Sequence, residues 1–375
     1  MLTIANSPRP SIEGWSPEPR AIVATTIREI LEPGIAAGRF PGAQIYASVH
    51  GVPAVDLALG EARIGVPMTP ATIMSWQCNT KPVTGIAICQ QWERGNVDLD
   101  ERVATYLPGF DQNGKADFTV RHLLTHTARF NGSQGMVAAA EGGPDEVEAR
   151  ICEAEADPDW PIGRRARYTP AAGYAALGAI LRRIDGRPLD VYAREEIFGP
   201  LGMTDCWVGV ADARLEEVAG RMGVLYDTQG DAPEFALMLG PIARGSRLNA
   251  CVAGTGGVGP MHQLALLYEM LLDSLAERSG ALLKRETVVA MTTAADLGDG
   301  KRGGWGLGVQ VASGFYGRWF PRAFGHEGLQ YSMAFADPDT GVVMAGMVNG
   351  IERPGSLQDL LGVSRAIHDA LPSLA

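Results

Sequence analysis

The chain contains few cysteines, and they are not arranged in pairs. Its 375 residues include only five, an odd number without a Cys-x-x-Cys pair: Cys78, Cys89, Cys152, Cys206 and Cys251. Disulfide frameworks and zinc knuckles need even numbers of suitably spaced cysteines. The pattern therefore argues against both and favours a reducing compartment.

Long apolar runs and an excess of basic residues are also missing. No stretch reaches the roughly 20 apolar residues that a membrane span needs, and MLTIANSPRPSIEGW has no apolar segment typical of a signal peptide. The formal net charge is -11, whereas nucleic acids and anionic membranes bind basic surfaces. We expect a cytoplasmic protein that partners neither nucleic acid nor membrane. The sequence does not indicate its oligomeric state.

The β-like runs lie near the two ends of the chain. AQIYASVHG and PAVDLALG read as a hairpin, and WGLGVQVA, LQYSMAFAD and GVVMAGMVNG follow Gly303. Helical patterns cover about Pro19–Leu31 and Ser356–Leu371, and residues 100–283 are mostly helices and loops. This order predicts an α/β (α+β) fold, in which both termini build one antiparallel sheet flanked by helices, with a mainly helical insertion.

The same pattern predicts two domains. Residues 1–100 and 290–375 would form a discontinuous sheet domain, and residues 101–289 a mainly helical domain. Clefts between two such units commonly hold active sites.

The segment MSWQCNTKPVTG places a cysteine three residues before a lysine. Pro82 is tolerated in a first helical turn, so we expect a helix from about Asn79, with Cys78 at its N-terminal end. The helix dipole and the Lys81 ammonium, one turn on, would then favour an ionised thiol. By itself the Cys-x-x-Lys tetrad CNTK allows two interpretations: Cys78 is a nucleophile, or it is a small buried hydrophobic residue beside a lysine.

Seven segments set this tetrad in a wider pattern. In order they are CNTK, DLDERVATYLPGF, TVRHLLTHTARF, RYTPAAGYAALG, IFGPLGM, WGLGVQV and GHEGLQYS. Together they resemble the serine β-lactamase and penicillin-binding-protein superfamily, and most of all its branch of class C β-lactamases, esterases and transacylases. The resemblance runs from about Gly42 to Asn349. It implies a β-lactamase-like fold and covalent acyl-enzyme chemistry that needs no cofactor and no metal.

The resemblance implies roles for individual residues. Cys78 takes the place of the family's nucleophilic serine, Lys81 keeps the lysine of Ser-x-x-Lys, and Tyr168 keeps the tyrosine of Tyr-x-Asn. The oxyanion hole, carried over, consists of the backbone N–H groups of Cys78 and Leu329. Lys81 and Tyr168 would share the proton transfers, with the adjacent ammonium pulling the pKa of Tyr168 below its usual value near 10.

Further residues are expected to bind substrate. His326, Glu327 and Gly328 look like the family's Lys-Thr-Gly or His-Thr-Gly strand. Trp305 and Trp160 are expected to border the site, and plain packing is the alternative for both.

Two other motifs are set aside. His122 and His126 in HLLTH have the spacing of a metalloprotease helix without its glutamate, so we interpret the segment as structural packing. The glycine-rich VAGTGGVG lacks the Gly-Lys-Ser/Thr ending of a phosphate loop. By resemblance it is a loop near the floor of the cleft.

The departures from the family pattern indicate the reaction. Cysteine in place of serine changes the intermediate from an ester to a thioester, which reacts with amines much more readily, relative to water, than an ester does. Glu327 would repel a β-lactam carboxylate and suit a cationic or amine-bearing substrate. Pro170 replaces an asparagine that contacts substrate in β-lactamases. Efficient β-lactam hydrolysis is therefore not expected.

We expect an acyltransferase that passes an acyl group from a small-molecule donor to an amine or alcohol through a Cys78 thioester. Two alternatives remain open: a hydrolase of the esterase, thioesterase or amidase kind that uses the same residues, and a non-catalytic ligand-binding homologue. Retention of Lys81 and Tyr168 argues against the last, because a dead site has no reason to keep a charged group beside the thiol.

Overall fold

A computed structural model of the chain describes residues 17–131, 143–169, 171–228, 236–239, 251–298, 300, 302–351 and 355–374. Pro170, the expected substitution for asparagine, lies outside the described residues. So does the N-terminal segment MLTIANSPRPSIEGW, in which no signal peptide is expected.

The main sheet has seven strands drawn from both ends of the chain. Their spatial order is β3 (Val66–Pro67), β2 (Val52–Arg63), β1 (Gly42–Val49), β12 (Val342–Val348), β11 (Ser332–Asp337), β10 (Phe324–Gly328) and β9 (Gln310–Val311). Every neighbouring pair is antiparallel. The two termini meet at the centre, where Ala43 lies opposite Val348 and Val49 lies opposite Val342.

Helices cover both faces of this sheet. Tyr46 and Ser48 in β1 hydrogen-bond to Glu269, which lies in α9 (Met261–Leu275). Ile45 points to the other face, since successive strand residues alternate. There α1 (Pro17–Ala36) packs against α11 (Gly355–Leu374). Burial on both faces explains why every residue of β1 and β12 is buried.

The remaining elements, apart from β13, lie in the sequence between the two halves of the main sheet. The helices are α2 (Lys81–Glu93), α3 (Val103–Tyr106), α4 (Val120–Leu124), α5 (Pro144–Glu153), α6 (Ala172–Asp185), α7 (Leu189–Ala193), α8 (Leu215–Arg221) and α10 (Arg285–Met291). One small sheet contains β4 (Met74–Ser75), β8 (Gly257–Gly259) and β5 (Trp207–Val208), and another contains β13 (Gly350–Ile351), β6 (Leu225–Asp227) and β7 (Ala236–Leu239).

The predicted fold class is confirmed: an antiparallel sheet built from both ends of the chain and flanked by helices. The division at residues 100 and 289 stays a prediction. Helix α9 falls inside the predicted helical domain, yet it packs on β1, β11 and β12. The predicted strand WGLGVQVA is shorter than expected, since only Gln310 and Val311 form a strand and Trp305 makes a single bridge to Gln310. Within the described ranges no helix is both long and apolar enough to cross a membrane.

Candidate active site

Cys78 lies in a short 3-10 turn, Gln77–Thr80, directly ahead of α2. The helix therefore begins two residues later than predicted. The turn is tied to β8, because Trp76 N–H donates to the Gly257 carbonyl at 2.8 Å and Gly257 N–H donates to Thr80 Oγ1 at 2.8 Å. Cys78 is 7% exposed. Its side chain is thus largely buried and held at a fixed position.

The residue before Cys78 has an unusual backbone conformation. Gln77 has a φ of 50°, in the left-handed region that non-glycine residues rarely adopt. Its side-chain amide donates to Ser75 Oγ at 2.8 Å. Such conformations persist only where the surrounding structure enforces them, and they are concentrated at functional sites.

Lys81 is completely buried one turn beyond the cysteine. Its ammonium donates to the Gly254 carbonyl at 2.9 Å and lies 5.1 Å and 5.0 Å from the ring centroids of Tyr168 and Tyr174. Cys78 lies close enough for its charge to act on this ammonium. Burial lowers the pKa of Lys81, and the charge on Cys78 partly opposes that effect. A lysine in this environment can lose its proton more readily than one in water.

Tyr168 completes a compact group with these two residues. Its hydroxyl donates to Cys78 Sγ at 2.7 Å. The ring stacks on Trp305, with centroids 5.2 Å apart and an interplanar angle of 16°. Both Tyr168 and Trp305 are partly exposed.

The expected lowering of the Tyr168 pKa is wrong. Burial is the main influence and raises the pKa well above its ordinary value, and the charge on Cys78 raises it further. The phenol therefore keeps its proton and acts as a donor to the sulfur.

Strand β10 lies directly against the turn that carries Cys78. A Cβ atom added to Gly328 would lie 2.5 Å from Ser332 Oγ and 2.6 Å from the Trp76 carbonyl oxygen. Asn79 Nδ2 donates to Ser332 Oγ at 2.9 Å, which links the turn to β11. Only glycine allows this close approach.

The two amides expected to form an oxyanion hole are available as donors. Leu329, the residue after Gly328, has a φ of 49°. Among the described residues, neither the Leu329 N–H nor the Cys78 N–H donates to a protein acceptor. Their role as an oxyanion hole stays a prediction.

Replacing Gly328 with alanine is expected to destabilise the protein. The added methyl group would force β10 away from the Cys78 turn, because one of its contacts is a backbone oxygen that cannot rotate aside. We expect a loss of about 1–3 kcal/mol in the free energy of unfolding, measured by urea titration. In Gly304→Ala the added Cβ has no atom within 4 Å, so this control should change the free energy by less than about 0.5 kcal/mol. Equal effects would contradict the close approach.

His326 and Glu327 lie in β10 beside the same group. His326 is fully buried, and its Nδ1 lies 2.7 Å from the Glu327 carbonyl oxygen. Burial, helped by the charge of Lys81, lowers the pKa of His326 to about 3. Glu327 is partly exposed, its Oε2 accepts a hydrogen bond from Gln330 N–H at 2.8 Å, and its charge favours the protonated form of Lys81. This face of the site therefore combines a neutral imidazole with a carboxylate.

The two tryptophans differ in position. Trp305 joins the ring cluster around Tyr168, whereas the indole N–H of Trp160 donates to the Thr127 carbonyl at 3.0 Å. The guanidinium groups of Arg129 and Arg165 lie 5.2 Å and 4.9 Å from the Trp160 ring centroid. The structure brings Trp305, and not Trp160, into the cluster.

Sequence reasoning missed His126. The HLLTH pattern predicts structural packing, and His122 does have a structural role, since it forms a capping box with Thr119. His126 instead has a φ of 54°, and its ring centroid lies 5.0 Å from that of Tyr168 and 4.4 Å from that of Trp305. No sequence signal shows this left-handed backbone conformation of His126. In the described part of the chain no group of three or more His, Cys, Asp or Glu residues could hold a metal ion.

The glycine-rich VAGTGGVG segment holds α2 in place. The carbonyl groups of Ala253 and Gly254 accept hydrogen bonds from Thr84 and Lys81 at 2.6 Å and 2.9 Å. The segment thus orients Lys81 by using its backbone oxygens.

An antiparallel sheet built from both chain ends, with a Cys-x-x-Lys turn and helix against its β10 strand, defines a β-lactamase-like α/β protein. The family model described as Beta-lactamase matches residues 27–365. The chain belongs to this family.

The proteins that this chain resembles include an esterase and an acyltransferase. The chain is 26% identical over 368 residues to the esterase/beta-lactamase LipL of Mycobacterium tuberculosis, covering 88% of this chain and 82% of that protein. It is 30% identical over 244 residues to the monacolin J acid methylbutanoyltransferase of Aspergillus terreus, covering 56% of this chain and 54% of that protein. A solved penicillin-binding-protein homologue from Caulobacter crescentus superimposes with a TM-score of 0.76 and 26% identity, covering 95% and 99% of the two chains.

Proposed function

We propose that the protein is an acyltransferase that forms an amide or ester through a covalent thioester on Cys78. The observation that carries the proposal is the 2.7 Å hydrogen bond from the Tyr168 hydroxyl to Cys78 Sγ, with the buried Lys81 one turn beyond and close enough for the charge of Cys78 to act on it. A nucleophile beside both a proton acceptor and a proton donor is the arrangement that covalent acyl transfer needs.

In the acylation step the sulfur of Cys78 attacks the carbonyl carbon of the donor, and a C–S bond forms. The thiol proton passes to the unprotonated amine of Lys81, whose pKa is lowered by burial. The N–H groups of Cys78 and Leu329 stabilise the oxyanion. Tyr168 then gives its hydroxyl proton to the leaving group as the bond to that group breaks, and Lys81 returns a proton to Tyr168.

In the transfer step an amine or alcohol attacks the thioester carbonyl. The new C–N or C–O bond forms, the C–S bond breaks, and the proton released by the acceptor reaches the sulfur through Tyr168. Thioesters favour amines over water as general carbonyl chemistry, so a cysteine nucleophile suits transfer better than hydrolysis. The relative named as a methylbutanoyltransferase supports this direction.

Intact-mass spectrometry tests the proposal directly. The protein is incubated with a panel of methyl esters, thioesters and lactams, and the acylated species is then exposed to a series of amines. We expect a mass increase that maps to Cys78 and an amide product that grows at the expense of free acid. Release of free acid alone, at every amine concentration, would exclude the transferase.

A hydrolase that uses the same residues is the second candidate. The similarity to LipL, named as an esterase and covering most of both chains, favours it. The amine series separates the two candidates, because a hydrolase loses its acyl group to water whichever amine is present. A non-catalytic homologue would give no acyl adduct with any donor while still binding ligand.

Glu327 is expected to select a cationic acceptor. It is partly exposed, and its charge already acts on Lys81. In Glu327→Gln we expect the KM for a charged amine acceptor to rise by about tenfold, because an attraction of roughly 1.4 kcal/mol between charged groups is lost. The KM for a neutral alcohol, measured in parallel, should change by less than about twofold. Equal shifts for both acceptors would refute this role.

A further inference from the structure

Two buried histidines contact the stacked rings of Tyr168 and Trp305. The centroid of His126 lies 5.0 Å and 4.4 Å from those of Tyr168 and Trp305, and that of His326 lies 6.0 Å and 5.6 Å from them. His126 is 2% exposed and His326 is fully buried. In each ring the Nε2 atom is buried and has no hydrogen-bond partner among the described residues. Two orphaned polar atoms therefore flank one ring stack.

The backbone partners give the two rings opposite tautomers. Thr169 N–H donates to His126 Nδ1 at 3.2 Å. A backbone N–H can only donate, so this Nδ1 carries no proton and the neutral ring has its proton on Nε2. The Nδ1 of His326 lies 2.7 Å from the Glu327 carbonyl, which can only accept. This Nδ1 therefore carries the proton, and the Nε2 of His326 is an acceptor.

Both rings are held neutral by their surroundings. Burial lowers the pKa of His126 well below its usual value, and the charge of Lys81 lowers it further. The same two causes lower the pKa of His326 to about 3. One Nε2 is thus a buried donor without an acceptor, and the other is a buried acceptor without a donor. Buried polar groups are normally paired, by protein or by ordered water.

The tautomers of the two rings determine which kind of group could satisfy both Nε2 atoms. It must accept a hydrogen bond from His126 and donate one to His326. A hydroxyl oxygen does both, whereas a carboxylate has no proton to donate and an ammonium has no lone pair to accept.

We propose that His126 and His326 form a binding site for one hydroxyl oxygen, that of a water molecule or of an alcohol acceptor, beside Lys81 and Tyr168. The bound oxygen fixes the orientation of both imidazoles against the Tyr168 ring, so the histidines act as positioning residues. The existence of the site does not depend on the proposed function. Only its occupation by an acceptor alcohol rests on that function.

Nitrogen NMR of protein labelled in its six histidines tests the tautomers. We expect the spectrum at neutral pH to show His126 protonated on Nε2 and His326 protonated on Nδ1, with assignments made by single substitution. The same tautomer in both rings, or a doubly protonated ring, would overturn the proposal. This measurement needs no substrate, so it stands apart from any failure of the acyltransferase assignment.

Paired substitutions test the function of the two Nε2 atoms. A glutamine amide reaches about as far as Nε2, whereas an asparagine amide reaches only as far as Nδ1. We expect each asparagine variant to acylate Cys78 at least about tenfold more slowly than the matching glutamine variant, since small misplacements of a site are costly. Thermal unfolding of each variant shows whether it folds. Asparagine variants as active as the glutamine variants would overturn the proposal.

A crystal structure at high resolution distinguishes the two sources of oxygen. An oxygen within hydrogen-bonding distance of both Nε2 atoms in the free protein, retained when an acceptor binds, indicates water. Its replacement by the hydroxyl of a bound alcohol indicates the acceptor, and the asparagine variants should then raise the KM for alcohols but not for amines. No oxygen between the two rings, with or without an acceptor, would overturn the proposal.

Discussion

Cys78→Ala is expected to abolish acyl-enzyme formation and to lower kcat by a factor of about 10⁵–10⁶. Losses of this size follow when a covalent hydrolase loses its nucleophile. The physical reason is that the Tyr168 hydroxyl donates to the Cys78 sulfur and that Cys78 acts electrostatically on Lys81, so both groups serve this one sulfur. Without it they have no group to deprotonate or to protonate. Steady-state kinetics and intact-mass spectrometry with a thioester donor measure the loss.

A second cysteine supplies the control for this experiment. Cys152 lies in α5 and is partly buried, and Cys152→Ala should leave kcat within about twofold, as expected for a substitution away from the site. A thiol alkylator should inactivate wild type and Cys152→Ala in proportion to modification of Cys78. If Cys78→Ala keeps its activity, both the transferase and the hydrolase assignments fail.

Lys81→Met is expected to slow acylation of Cys78 by about 10²–10⁴, the range that one acid–base group contributes. Methionine has a similar length and no charge, so it removes the proton acceptor while largely filling the space. Single-turnover acylation, followed by mass spectrometry, measures the rate. An acylation rate within about threefold of wild type would mean that Cys78 needs no base from Lys81.

Stability should respond to pH differently in this variant. Burial lowers the pKa of Lys81 in the folded protein, while an unfolded lysine titrates near 10.4. Between these two values the unfolded chain binds more protons, so Lys81 makes wild-type stability rise as the pH rises. Lys81→Met lacks this contribution. The free energy of unfolding of the variant minus that of wild type should therefore fall from about pH 7 to about pH 9.5, and a constant difference in urea titrations would contradict a lowered pKa.

Several parts of the site could be predicted from short local patterns. Cys78 and Lys81 occupy one helical turn, so their proximity follows from spacing alone. Tyr168 and Gly328 are distant in sequence, and only the order of segments in the family resemblance joined them to Cys78. The hairpin of β1 and β2 was predictable because its strands are neighbours in sequence and alternate in a simple way.

Other parts could not be predicted, for reasons that lie in burial and backbone geometry. The direction of the Tyr168 pKa depends on desolvation, which no sequence pattern reports. His126 has a left-handed backbone conformation, with a φ of 54°, that the HLLTH pattern does not predict. Its ring lies in the site in this conformation. Trp160 and Trp305 look alike in sequence, yet only Trp305 stacks on Tyr168.

The sequence by itself determined the class of fold and the order of its parts, because hydrophobic periodicity and residue spacing are local properties of a chain. It also determined that a thiol and an amine lie one turn apart. Only the tertiary structure decided which groups remain charged and which polar atoms lack a partner. Those properties arise when Gly254, Tyr168 and Tyr174, which are distant from Lys81 in sequence, pack around its ammonium and exclude water from it.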